Sequence, residues 1–170
     1  MKKIFFVIAV LFSVVIHAQV KEVNIQASGL TCSMCIHSIF KALKTLGFVD
    51  QVHATIKTSS INISFKPTAD IDFDKLKAKV EDAGFFVANF TVIIYVEKLV
   101  ISNDTHVHVG NDIFHFLNVK DKVLSGDQTI RILDKGFVSA KEFKKNSSLT
   151  KMACYKSGEE NGKRIFHVTI

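Results

Sequence analysis

The stretch Gly29-Leu-Thr-Cys-Ser-Met-Cys-Ile-His-Ser-Ile-Phe-Lys-Ala-Leu-Lys-Thr-Leu-Gly47 sets two thiols, Cys32 and Cys35, three positions apart where a turn gives way to a helix. Behind the thiols, Ile36, Ile39, Phe40, Leu43 and Leu46 recur at intervals of three and four, which is one face of a helix, and Gly47 is its stop signal. On the N-terminal side Val23, Ile25 and Ala27 alternate as a half-buried strand does. On the C-terminal side Val52, Ala54 and Ile56 alternate, Thr58-Ser59-Ser60 can turn, and Ile61, Ile63 and Phe65 alternate again, which predicts a hairpin.

Pro67, the only proline, punctuates the exit from that hairpin. Asp70 or Asp72 can then cap a helix whose buried face carries Phe73, Leu76, Val80 and Ala83, and Gly84 ends it. The run Phe85 to Tyr95, rich in β-branched and aromatic residues, reads as a last strand. The order β-α-β-β-α-β packs stably as a four-stranded antiparallel sheet with both helices on one face, so residues 19–91 are expected to form a ferredoxin-like α+β domain.

Beyond Tyr95 the helical period nearly vanishes. Short strand-like runs follow at Tyr95–Ile101, His106–Val109, Ile113–Val119, Thr129–Leu133, Met152–Tyr155 and Ile165–Ile170, separated by Asn, Asp, Gly and Ser clusters. Ser139 and Glu142 have the spacing of a capping box and predict one short helix. Residues 92–170 are thus expected to be a small, mostly β domain, with a partly closed OB-type barrel as the favoured arrangement.

At the other end, Lys2 and Lys3 precede a 13-residue run from Ile4 to Ile16 that is apolar apart from Ser13. A membrane-spanning helix needs about 17–25 such residues, so residues 1–18 read as an export signal cleaved after Ala18, with no membrane span in the mature chain. The product is expected in the periplasm of a Gram-negative source and secreted otherwise. The formal charge of +6 includes both leader lysines, so +4 remains, with acids and bases mixed as in Lys141-Glu142-Phe143-Lys144-Lys145. Nucleic-acid binders cluster their basic residues, so no nucleic-acid partner is expected. Three cysteines are too few for a disulfide-framed fold, and a close thiol pair on an exported chain needs another reason.

That reason is chemical. Backbone N–H groups at a helix start favour negative charge, so Cys32 and Cys35 lose protons more readily than free thiols. Two soft thiolates on an exposed loop suit an ion that accepts two or three ligands, such as Cu(I), whereas a structural zinc asks for four. His37 lies about 200° around an ideal helix from Cys35 and cannot readily join. Gly29-Leu-Thr-Cys-Ser-Met-Cys resembles the GMTCxxC loop of heavy-metal-associated domains, as in copper chaperones, the N-terminal domains of copper-transporting ATPases and the periplasmic mercury-binding protein. The likeness continues through Ile36, Ile39, Ala42-Leu43, Leu46-Gly47 and Val52 to Ala83-Gly84-Phe85. It implies that Cys32 and Cys35 bind metal and that Gly29, Thr31 and Phe85 support the loop. Leu30 stands where the family carries a core Met, a volume-conserving exchange.

The implied function is metal capture and transfer to a partner protein, without catalysis. Cu(I) is the favoured ion, while Hg(II), Ag(I), Cd(II) and Zn(II) also tolerate thiolates. The alternatives are a thiol–disulfide redox protein and a metal-responsive sensor or adaptor acting through residues 92–170. Against redox catalysis, the chain has no Trp before the first Cys and its single proline falls far from the pair. A two-residue turn near Gly110-Asn111 would put His106, His108 and His115 on one face and Val107, Val109, Phe114 and Phe116 on the other. Three imidazoles can hold Zn(II) or Cu(II). The favoured reading is nonetheless a polar outer face, because no thiol or carboxylate is supplied at ligand spacing. Cys154 is expected to be a buried small hydrophobe in a strand.

Overall fold

The computed structural model describes residues 19–30 and 33–170. The first half forms as its periodicity dictates. β1 (Gln19–Ser28) turns Val23, Ile25 and Ala27 inward, α1 (Ser33–Lys44) buries Ile39 and Leu43, and β2 (Val49–Thr55) and β3 (Ser60–Phe65) make the hairpin. Ile56, expected in a strand, instead begins a 3-10 turn of residues Ile56–Thr58 and is exposed. α2 (Phe73–Asp82) starts where the Asp72 carboxylate accepts a hydrogen bond from the Lys75 backbone N–H at 2.9 Å, and it buries Phe73, Leu76 and Val80. With β4 (Phe86–Ile101), the strands pair antiparallel in the order β2-β3-β1-β4.

The second half departs from expectation. β4 is 16 residues long and runs unbroken past residue 91, pairing with β1 along its first part and with β7 (Lys122–Ile132) along its second. No glycine or proline interrupts Phe86–Ile101, and the ladder answers with a bulge between Val96 and Leu99 rather than a turn. β5 (Thr105–Val109), β6 (Asp112–Phe116) and β9 (Lys163–Thr169) extend the same sheet to the order β2-β3-β1-β4-β7-β9-β6-β5, with β8 (Glu159–Glu160) beside β9. The sheet is open, so the expected OB-type barrel is not formed. β6 and β9 are parallel, a long-range pairing that no local pattern announces.

Two short helices complete the chain. In α3 (Ala140–Asn146) the Ser139 hydroxyl accepts from the Glu142 N–H at 3.2 Å, as the capping spacing predicts. The Glu142 carboxylate goes elsewhere, to a two-pronged contact with the Arg131 guanidinium at 2.6 and 2.9 Å that ties α3 to β7. The expected strand Met152–Tyr155 is instead the approach to and start of α4 (Cys154–Ser157). Its apolar residues pack as a cover, with Tyr155 stacked on Phe143 and Cys154 against Ile113 and Ile165.

One apolar core serves both halves. Phe73 of α2 meets Phe90 of β4, Phe166 of β9 and Phe114 of β6 at ring-centroid distances of 6.0, 5.2 and 6.4 Å. In a flat sheet β4 and β6, three strand spacings apart, would be separated by about 14 Å. The Phe73 ring therefore bridges β4 and β6 across the intervening β7 and β9.

Candidate metal centres

Gly29 and Leu30 leave the end of β1, and α1 begins at Ser33. Gly29 leaves β1 with φ +84, a conformation that disfavours a side chain, and a Cβ built there would touch Phe85 Cδ1 at 4.0 Å. Phe85, partly buried, therefore stands beside the loop's first residue. Leu30 is buried in the core, in keeping with its reading as a replacement for Met. Cys35, in the first turn of α1, is partly exposed and disulfide-bonded. Thr31 and Cys32 lie outside the described residues. No acidic residue occupies the first turn of α1 to offset its positive end. His37 is exposed and stacks with Phe40. Two large apolar side chains border the loop in solvent: Met34 is 75% exposed, and Phe86, paired with Ser28, is 74% exposed.

The histidines form a different site from the one expected. The turn is the two residues Gly110-Asn111, so the pairing His106↔His115 and His108↔Ile113 keeps the predicted parity, with Phe114 and Phe116 on the opposite, core side. The face itself is not an outer one. β9 lies parallel against β6 with His167 beside His115, and α4 covers the row. His115 and His167 are fully buried and His106 is partly buried, while His108 stays exposed and outside the group. Of the expected trio, His106 and His115 come together and are joined by Cys154, while His108 stands apart in solvent.

Cys154, a residue 3% exposed, puts its sulfur against that row. It is 3.6 Å from His106 Nε2, 3.7 Å from His115 Nδ1 and 3.5 Å from His167 Nε2. The ligand atoms of His106, His115 and Cys154 all fall within 4.8 Å of one another. Each imidazole turns its other nitrogen to a carboxylate: His106 Nδ1 to Glu160 at 3.3 Å, His115 Nε2 to Asp104 at 2.9 Å, and His167 Nδ1 to Asp134 at 2.6 Å. Asp134 also accepts the His167 backbone N–H at 3.2 Å and is paired to Arg164 Nη1 at 2.8 Å. Burial first, then the His167 and His106 rings, hold His115 below its ordinary value, so it is neutral at pH 7. Burial and then Glu160 push the Cys154 thiol up, so it is protonated there. A hydrogen bond from Thr150, more than the one from His115, keeps Asp104 below the usual carboxylate range.

No spacing in the sequence joins Cys154, His167 or the three carboxylates to the histidine hairpin. The spacings explain why: 39 residues separate His115 from Cys154, and 33 separate Asp134 from His167.

Comparison with known proteins singles out the first half. The model of the heavy-metal-associated domain matches residues 24–86. A probable copper-exporting P-type ATPase of Archaeoglobus fulgidus is 32% identical over 76 residues, which is 45% of this chain and 9% of that protein. The mercuric transport protein periplasmic component of Serratia marcescens is 31% identical over 86 residues, 50% of this chain and 93% of that protein. The crystal structure of oxidized MerP from Ralstonia metallidurans CH34 shares 28% identity over 42% of this chain and 94% of that one, with a TM-score of 0.37. The chain thus spans less than a tenth of the ATPase and nearly all of the mercuric component. Cys32, Cys35 and Phe85 fall inside the matched segment, and the His106, His115, Cys154 and His167 group falls beyond it.

Proposed function

The chain belongs to the heavy-metal-associated domain family, and we propose that it is an exported carrier that takes up a soft metal ion, Cu(I) before the others, and passes it to a partner protein. Cys32 and Cys35 are its ligands once Cys35 is released from its disulfide by reduction, and Gly29, Thr31 and Phe85 hold the loop. The observation that carries this reading is the placement of Cys35 in a partly exposed first turn, behind a glycine-initiated loop at the end of β1. Transfer proceeds by ligand exchange. A partner thiolate or thioether adds to the metal before Cys32 or Cys35 lets go, which a low-coordination site permits and a closed cage does not. The exposed Met34 and Phe86 flank the path a partner would take. No helix among the described residues is long and apolar enough to cross a membrane, and the export signal of residues 1–18 lies outside them.

The test is a Cu(I) competition titration. Cys32→Ser and Cys35→Ser are each expected to lose tight Cu(I) binding while Cys154→Ser keeps it. Wild-type affinity in either loop variant would overturn the assignment.

The disulfide bond at Cys35 supports a second reading, a thiol–disulfide exchange protein. That reading expects the metal-free reduced protein to reduce a model protein disulfide catalytically. The carrier expects stoichiometric reaction only.

A further inference from the structure

The second cluster has no role in the cysteine-loop chemistry, and its hydrogen bonds do not close. A neutral imidazole that donates one N–H to a carboxylate presents a lone pair at its other nitrogen. Glu160, Asp104 and Asp134 take the far nitrogens of His106, His115 and His167, so three imidazole nitrogens converge on one sulfur. A thiol carries a single proton and can satisfy one of them. A cation at the centre satisfies all four groups at once.

The geometry points to a second metal centre, in which His106, His115 and the Cys154 thiolate, whose ligand atoms already lie within 4.8 Å of one another, hold one Zn(II) ion, and His167, with Nε2 3.5 Å from the sulfur, moves in as the fourth ligand of a tetrahedral site. With Zn–S near 2.3 Å and Zn–N near 2.05 Å, tetrahedral angles place sulfur and nitrogen about 3.6 Å apart. The observed separations are 3.5, 3.6 and 3.7 Å. The carboxylate behind each imidazole is the arrangement that orients metal-binding histidines and raises their basicity.

Charge selects the class of ion. Among the described residues the arginine paired to these carboxylates is Arg164, on Asp134, and it is shared with Asp74, so the negative charge of Asp104, Asp134 and Glu160 favours a divalent ion over a monovalent one. Binding converts the Cys154 thiol to thiolate and releases its proton to solvent. Four protein ligands leave no open position, so the ion is structural and ties β5, β6, β9 and α4 together. Cys154, His167 and Asp134 also have the order of a nucleophilic triad. The sulfur of a residue 3% exposed, crowded by two further imidazoles, gives a substrate no approach.

The experiment uses the whole chain carrying Cys32→Ser and Cys35→Ser, which silences the cysteine loop. Native mass spectrometry should find one Zn(II) per chain after dialysis against micromolar free zinc. Co(II) loaded in its place should give a sulfur-to-cobalt charge-transfer band in the near ultraviolet and the intense visible bands of a tetrahedral ion. Adding Cys154→Ser, close to isosteric, should abolish the charge-transfer band and weaken Zn(II) binding at least about 100-fold. Asp134→Asn should keep the band and weaken binding about 10- to 100-fold, as loss of an outer-shell partner does. Far-ultraviolet circular dichroism checks both folds. If Cys154→Ser does not fold, the parent's cobalt spectrum and Asp134→Asn decide the matter. Failure to retain zinc, cobalt binding without the charge-transfer band, or unchanged affinity in a folded Cys154→Ser protein would each overturn the proposal.

Discussion

Phe73→Ala should damage both halves of the chain together. The ring is fully buried at the start of α2 and meets Phe90, Phe166 and Phe114 at 6.0, 5.2 and 6.4 Å. Truncating a buried Phe to Ala costs about 3–5 kcal/mol. Three aromatic partners surrounding the side chain place this case near 4 kcal/mol, because each ring contact adds roughly 0.5–1.5 kcal/mol to simple area burial. That is a large share of the roughly 5–15 kcal/mol that stabilises an ordinary domain. For a unit of about 150 residues it corresponds to a fall in Tm of about 8–16 °C. Urea unfolding followed by far-ultraviolet circular dichroism, and separately by fluorescence from a dye attached in residues 92–170, should show coincident transitions in wild type and variant. Phe86→Ala, at an exposed position, should shift the midpoint by no more than about 0.5 kcal/mol. If Phe73→Ala moves the transition of residues 19–91 and leaves that of residues 92–170 in place, the continuous core does not couple the halves and the reasoning fails.

The remaining predictions concern charge, backbone and redox state. Asp112 has its carboxyl pushed up to about 7, by burial first and then by Asp70 and Asp72. The folded chain therefore binds more protons than the unfolded one between about pH 4 and 7, and stability should fall as pH rises through that window. Asp112→Asn should unfold at higher urea than wild type at pH 8 and show a flatter pH profile. Equal midpoints at pH 8 would refute this. Gly29→Ala meets no clash closer than the 4.0 Å contact with Phe85 but must hold φ +84, so it should cost about 1–2 kcal/mol through the backbone alone. Denaturant midpoints check this, and an unchanged midpoint would show that the loop relaxes. One equivalent of Cu(I) added to reduced protein should slow oxidation of Cys32 and Cys35, counted as free thiols by mass spectrometry, because a disulfide leaves no thiolate for the metal. An unchanged rate would remove these thiols as the ligands.

Legibility followed the range of the interactions. β1 to α2 show in the sequence because each depends on neighbours within a turn or a pleat: the alternation at Ile61 and Ile63, the helical spacing at Ile39 and Leu43, and the Asp72 cap. β4 reads as two strands because Phe85–Tyr95 and Tyr95–Ile101 each have a strand's composition. Only the absence of a breaker between them signals the single 16-residue strand that joins the halves. Met152–Tyr155 is too short for periodicity to separate strand from helix, and its apolar residues serve as a cover over β6 and β9. The hairpin at Gly110-Asn111 and its parity were readable. The burial of that face was not, because it depends on a parallel partner strand more than 45 residues further on.

The two cysteine environments impose opposite behaviour on a bound ion. Cys35 is partly exposed and lies at a helix start next to the exposed Met34, and Phe86 stands in solvent on β4 opposite Ser28. A ligand there can be approached by oxidant or by an incoming thiolate, and both routes lead to exchange. Cys154 is buried, its thiol is pushed up by that burial, and imidazoles backed by carboxylates surround it. An incoming ligand would have to displace packed side chains before it reached the sulfur, so an ion held there stays. Coordination number works in the same direction. Two thiolates leave room for the third ligand that transfer requires, and four protein ligands leave none. Both sites hang on one sheet, joined by β4 and by the rings around Phe73. An ion retained at the buried centre would therefore stiffen the frame that carries β1, α1 and Cys35.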